Sequence, residues 1–336
     1  MKSISAFDHL ALTKQLELQK KHAWDLEEDF PWASGIDLEK PFVPLDENNI
    51  AFPGASLEQR IALSQMIGLM VNETICEMEC SLPRLKYQAW EQHLRRFPVN
   101  PEMFDLGELF FEEEEKHAES FKRYLHMFCD QTNIDRQILK SLLPNALNSV
   151  FQKSMIWNAE RGGHAFWWVV AAVEETSIQV FRAVHGSKDK VDPLFYELHK
   201  RHAEEEMRHE NYAFMMLDLA THKPPNFKNT FFNKVDVLLS ELVAGPWVLT
   251  ELTKIFKTKD LAKSHQFFAT VASCIPLFEK MSKVELAKAL FYHGPYVSWL
   301  VNPAFRKKQK DMKLKHKSIE LPFADQKIDY QKLKLG

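Results

Sequence analysis

Little in this 336-residue chain suits a turn-rich β protein: there are only 10 glycines and 16 prolines. The four cysteines, Cys76, Cys80, Cys129 and Cys274, follow neither zinc-ligand nor disulfide-framework spacing, so they read as reduced thiols of a cytoplasmic protein. Excess charge of one sign is also missing. A net charge of −3 gives no global reason to expect nucleic acid. The most apolar run, Ala165 to Val173, falls short of the ~20 residues that cross a bilayer. The N-terminus, MKSISAFDHLALTKQLELQKK, is amphipathic and charged and lacks the pattern of a signal peptide. These features predict a soluble protein with no membrane role.

What the chain has is apolar bulk, 45% hydrophobic with 25 phenylalanines, and helical punctuation. Ser56 with Gln59 three residues on forms a capping box, opening a helix that stops at Pro83. A shorter helical pattern covers Leu85 to Arg96. Asn100-Pro101 and Asp192-Pro193 are two further starts. Between them HAFWWVVAAVEETSIQVFRAV predicts a helix ending near Gly186. Two more helices are expected, from about Phe231 to Phe256 and Lys259 to Phe278. No composition break divides the chain, so residues 1–336 read as a single all-α domain. Residues 1–55 form an irregular arm, with Pro31, Pro41, Pro44 and Pro53 in its second half. Residues 56–222 form the bundle and residues 223–336 a C-terminal helical extension.

One signature occurs twice. Glu73 in an apolar helix is followed by Glu114-x-x-His117, and Glu175 in another is followed by Glu206-x-x-His209. Residues three apart share a helix face, so each pair offers an oxygen and a nitrogen to one point. One Glu from each of two helices plus Glu-x-x-His from the other two is how a ferritin-like four-helix bundle holds two metals. Two divalent cations would also neutralise four buried carboxylates, which have no evident Lys or Arg partner in the sequence. His202 lies on the face of Glu206 and His209 and offers a third imidazole. Mixed carboxylate and imidazole ligands suit iron or manganese. Two choices stay open on the residues alone: Glu77, one turn past Glu73, and Glu174, about 100° around the helix from Glu175. The single Glu-x-x-His is weak and the acidic runs resemble solvated faces; the paired pattern carries the reading.

The segments IGLMVNETI, EEEEKHAESF, AAVEETSI and HAEEEMRH resemble the ligand segments of the p-aminobenzoate N-oxygenase family, the di-iron arylamine oxygenases. The likeness includes Asn72 before Glu73, Ala-Val-x-Glu-Thr around Glu175, and His202 in His-x-x-x-Glu-x-x-His. It runs from about Phe52 to Leu217. The resemblance implies the ligand set Glu73, Glu114, His117, Glu175, His202, Glu206 and His209, with no catalytic residue beyond these ligands. His202 and His209 would then sit on one iron and His117 on the other.

The same resemblance implies a monooxygenase using two irons (manganese as the alternative), O2 and an external electron donor such as a reductase or ferredoxin. Its substrate would be a small aromatic amine, and its assembly a homodimer. A hydroxylase or desaturase of aliphatic or acyl chains is the second expectation, and ferritin-like iron handling the third. Phe110, Phe111, Phe121 and Trp168 are candidates to line a substrate cavity. The basic run RKKQKDMKLKHK, Arg306 to Lys317, reads as a solvated tail, or as a dock for an acidic carrier protein or electron donor.

Overall fold

Three of the long helices begin at a capping box or a first-turn proline, which satisfies or removes an unpaired N–H group. The computed structural model describes residues 9–95, 99–143, 149–161, 163–221, 235–236, 253–294, 297–298, 302–303 and 307. Helix α1 spans His9–His22 and α2 spans Leu57–Glu79. The Ser56 hydroxyl accepts from the Gln59 N–H, while the Gln59 side chain accepts from the Ser56 N–H, the reciprocal box expected from sequence. A 3-10 turn at Pro83–Leu85 and a π-helical turn at Lys86–Glu91 then lead into the short α3, Gln92–Leu94.

Proline in its first turn opens α4, Pro101–Thr132, and a left-handed Asn133 (φ 57°) closes it. Asp135 caps α5, Arg136–Leu142, by accepting from the N–H groups of Gln137 and Ile138. Helices α6, Ser149–Glu160, α7, Ala165–His185, and α8, Pro193–Thr221, follow.

The fold is all-α: among the described residues there is no strand, only an isolated bridge between Asn49 and Phe291. No described helix is long and apolar enough to cross a membrane. Helices α2 and α4 pack antiparallel, as do α7 and α8, and α4 lies against α8. The registers are legible in single contacts. The Cys76 thiol donates to the Ala118 carbonyl, Phe121 packs edge-on against His199 and His202, and Tyr196 pairs with His185. Two apolar clusters lie along these helices. One is built on Phe42, Met70, Phe128 and Phe195, the other on Trp90, Phe110, Trp167 and Tyr212.

Three expectations change. The N-terminal arm is not wholly irregular, because residues 9–22 form α1, which packs on α4 and α8. The helix expected from Lys259 to Phe278 is three short ones, Thr258–Leu261, Gln266–Ala272 and Ile275–Phe278. His265 breaks it by adopting extended backbone and accepting from the Phe267 N–H. The helix expected over 231–256 and the basic run 306–317 lie almost wholly outside the described residues.

Candidate metal centre

The two acidic runs divide between water and interior as helical geometry requires. In α4, Glu112 and Glu115 are exposed while Glu113 and Glu114 are buried; in α8, Glu205 and Glu206 are buried. Each run therefore delivers two carboxylates inward, one to the centre and one behind it. The repeated unit is wider than Glu-x-x-His. It reads Glu113-Glu114-x-Lys116-His117 in α4 and Glu205-Glu206-x-Arg208-His209 in α8.

The outer carboxylates are exchanged between the two copies. Glu205 of α8 lies 2.6 Å from Nε2 of His117 on α4 and accepts from Lys116 at 2.8 Å. Glu113 of α4 lies 2.8 Å from Nε2 of His209 on α8, with Arg208 at 3.9 Å. Arg208 also stands 3.4 Å from Glu205. Helix α1 adds to this layer, because Gln19 donates to Glu113 at 2.8 Å. A carboxylate on Nε2 fixes the ring and leaves Nδ1 as the inward atom. Nδ1 of His117 accordingly faces Glu206 at 3.2 Å and Glu79 at 4.0 Å. Nδ1 of His209 faces Glu206 at 2.9 Å and Glu114 at 3.0 Å. His202 turns the other way and presents Nε2 to Glu79, at 2.6 Å, and to Glu206.

Two groups of ligand-type atoms result, each within 4.8 Å: Glu79, His117, His202 and Glu206; and Glu114, His117, Glu206 and His209. His117 and Glu206 belong to both. His202 and His209 therefore fall in different groups, unlike the sequence-based expectation that they share one ion. Oxygen or nitrogen ligands about 2.1 Å from one cation, at right angles to each other, stand about 3.0 Å apart; the Nδ1 atoms of His117 and His209 lie 2.9 to 3.2 Å from Glu206 and Glu114, while Glu79 stands 4.0 Å from His117.

Of the seven residues expected from sequence, five meet at this centre: Glu114, His117, His202, Glu206 and His209. Glu73 does not. It is buried elsewhere, against Arg136 at 2.5 Å and Lys140 at 3.9 Å, and the α2 carboxylate at the centre is Glu79. Six residues of helix separate the two, which is about 240° of rotation and about 9 Å of rise, so they cannot serve one point. On α7 it is Glu174 whose carboxyl lies against Glu206, while Glu175 accepts from Gln179 at 2.6 Å. Glu77 pairs with Lys140 at 2.9 Å.

The electrostatics show what the cluster needs. Burial, then the charges of Glu114 and Glu206, push Glu79 far above the usual carboxylate range. Burial, then Glu206 and Glu114, do the same to Glu174. Burial would pull His117 down, but Glu206 and Glu205 carry it up to about 9. Glu205 goes to about 2, because His117 and Lys116 outweigh its burial. Lys116 and Arg208 thus lie against the outer Glu113 and Glu205, while the inner four carboxylates have only histidines beside them as counter-charge.

Both oxygens of Glu114, one each of Glu79, Glu174 and Glu206, and Nδ1 of His117 are buried without a hydrogen-bond partner. Orphaned atoms converging on two points, beside four buried carboxylates whose only neighbouring counter-charges are imidazoles, fit two divalent cations in chemistry and in charge. A search of family models, of curated proteins and of solved structures gives no match to this chain.

Proposed function

We propose that the chain is a non-haem di-iron oxygenase built on a ferritin-like four-helix bundle of α2, α4, α7 and α8. The reaction it best fits is N-oxygenation of a small arylamine. The reciprocal pairing of Glu205 with His117 and Glu113 with His209 carries the reading, because it aims one ring nitrogen of each histidine at orphaned carboxylate oxygens. Glu79, Glu114, His117, Glu174, His202, Glu206 and His209 would hold the ions. Bound there, iron supplies O2 binding and redox equivalents, which carboxylate and imidazole side chains lack. Manganese takes the same ligand types, so metal identity rests on the measurement below.

The chain's own residues supply geometry, charge balance and dryness. Phe110 packs edge-on against His209 at 4.7 Å and Phe121 against His202 at 4.9 Å, which holds both rings in place and keeps bulk water away. Lys116 donates to Glu205, and Arg208 stands 3.4 Å from Glu205 and 3.9 Å from Glu113, which places positive charge behind the two histidines. The overall reaction consumes one arylamine, one O2, two electrons and two protons, and yields an N-hydroxyarylamine and water. The two electrons come from an external reductase or ferredoxin.

The test is a turnover of the iron-loaded, reduced protein with 18O2 and a neutral arylamine, read by mass spectrometry. One labelled oxygen on nitrogen supports the reading. Labelled oxygen on carbon would move the assignment to a hydroxylase. Iron uptake with no oxygenated product would move it to iron handling.

A further inference from the structure

Of the four cysteines only Cys80 is exposed; Cys76, Cys129 and Cys274 are buried, and all four are free thiols. Cys80 is the C-cap of α2, and its N–H closes the last helical turn on the Cys76 carbonyl at 3.0 Å. Residues four apart lie one above the other on a helix face, with Cβ atoms about 5–6 Å apart. The two sulfurs accordingly lie against each other. Past this turn the helix tightens. The Ser81 N–H bonds the Met78 carbonyl at 2.8 Å and the Leu82 N–H bonds the Glu79 carbonyl at 3.2 Å, each three residues back.

An accessible thiol with a second thiol beside it is the arrangement that captures a first oxidation as a disulfide. Residues four apart in a helix have Cα atoms about 6 Å apart, inside the ~4.4–6.8 Å that a disulfide spans. Their Cβ atoms must still approach to about 3.5–4.5 Å. A helix interior resists that movement, whereas a helix end that already closes in three-residue turns can follow it. Glu79 sits within this turn, and its carboxylate stands 2.6 Å from Nε2 of His202. Closing the bond therefore displaces Glu79 from its place in the cluster.

We propose that Cys80 and Cys76 form a peroxide-sensitive dithiol whose disulfide weakens metal binding through Glu79. The oxidant is hydrogen peroxide. The Cys80 sulfur attacks one peroxide oxygen: the S–O bond forms, the O–O bond breaks, and the other oxygen leaves as water with the thiol proton. The Cys76 sulfur then attacks the sulfenic sulfur of Cys80. The S–S bond forms, the S–O bond breaks, and the departing oxygen takes the Cys76 proton and leaves as a second water. The dithiol loses two electrons and the peroxide gains them. An external thiol reopens the bond by exchange. Only the effect on metal rests on the metal-centre reading.

The experiment treats the metal-free full chain with a small excess of hydrogen peroxide. The chain is then alkylated and cleaved at glutamate, so that Cys76 and Cys80 fall on separate peptides. Mass spectrometry is expected to find them linked within one chain, with Cys129 and Cys274 still reduced, and dithiothreitol to release them. In Cys76→Ser, Cys80 should stop at the sulfenic acid, which dimedone traps. Wild-type Cys80 that resists peroxide, stays unlinked to Cys76, or links only to a second chain overturns the proposal. Cobalt(II) is next titrated into the oxidised form and into the re-reduced form freed of reductant. The oxidised form is expected to bind about tenfold more weakly, the scale of effect seen when a ligand loses its support. Equal affinity in the two forms overturns the coupling to Glu79. A chain that closes the disulfide yet holds no cobalt in either form contradicts the metal centre, and the coupling with it, and leaves the dithiol standing.

Discussion

Nε2 of His117 sits 2.6 Å from a carboxylate oxygen of Glu205, a residue 88 positions away on the facing helix. The counterpart contact, His209 to Glu113 at 2.8 Å, repeats it across the centre with the copies interchanged. Each Glu-x-x-His unit therefore depends on the other for the orientation of its imidazole. The copies differ seven residues before the histidine of each Glu-x-x-His, where α4 has Phe110 and α8 has His202. The centre is thus symmetric in its supporting layer and unequal in its inner ligands.

Glu205→Gln is expected to lower metal affinity by about 10- to 100-fold, the usual effect of losing a carboxylate behind a ligating histidine. Glu113→Gln should do the same through His209. Competition titration against a chelator of known affinity measures both. Unchanged affinity in both variants would reduce the outer layer to packing.

Glu73 and Glu79 are separable by two readouts. Glu73→Ala leaves Arg136 without its buried partner and should cost about 1–3 kcal/mol in a denaturant titration, with metal stoichiometry unchanged. Glu79→Ala should lower the metal content and leave Arg136 undisturbed. Equal metal loss in both variants would contradict the placement of Glu79.

The capping box at Ser56, the starts at Pro101 and Pro193 and the paired Glu-x-x-His motif are local patterns, and the helices follow them. Which turn of α2 faces His117 is a matter of register, set by contacts such as Cys76 with Ala118. Register depends on partners distant in sequence, and Glu73 owes its position to Arg136 on α5, a helix without a strong sequence signal. Glu174 left a usable trace, since Phe166, Val170 and Glu174 repeat every four residues. So did the outer layer, in the second copy of Glu-Glu-x-(Lys/Arg)-His. Read as surface charge, these runs hide half of their inward-facing groups.

Gly107 faces Trp90, and a Cβ built there would stand 2.3 Å from the indole, whose Nε1 donates to Tyr212. Gly107→Ala should therefore destabilise by about 1–3 kcal/mol, because overpacking a filled core forces side chains off their rotamers. A shift of the thermal midpoint measures it; an unchanged midpoint would mean that Trp90 has room to move.

Asp236 accepts from Asn158 at 2.6 Å and from the N–H of His164 at 2.8 Å, and burial raises its carboxyl to about 6. Its ordinary value is 3.8, so the folded state holds this proton more tightly than the unfolded chain. The resulting stability is fully present below about pH 4 and is lost as pH rises through about 6. Relative to wild type, Asp236→Asn should remove this fall. The comparison is the slope of unfolding free energy between pH 4 and 7, and parallel slopes would contradict the assignment.

The decisive measurement is the number of metal ions the chain holds. After anaerobic reconstitution with iron(II) and removal of excess, the wild type is expected to retain two irons per chain by elemental analysis. His202→Ala and Glu79→Ala should each retain fewer. One iron or none in the wild type, or full occupancy in both variants, would contradict a dinuclear centre at this cluster.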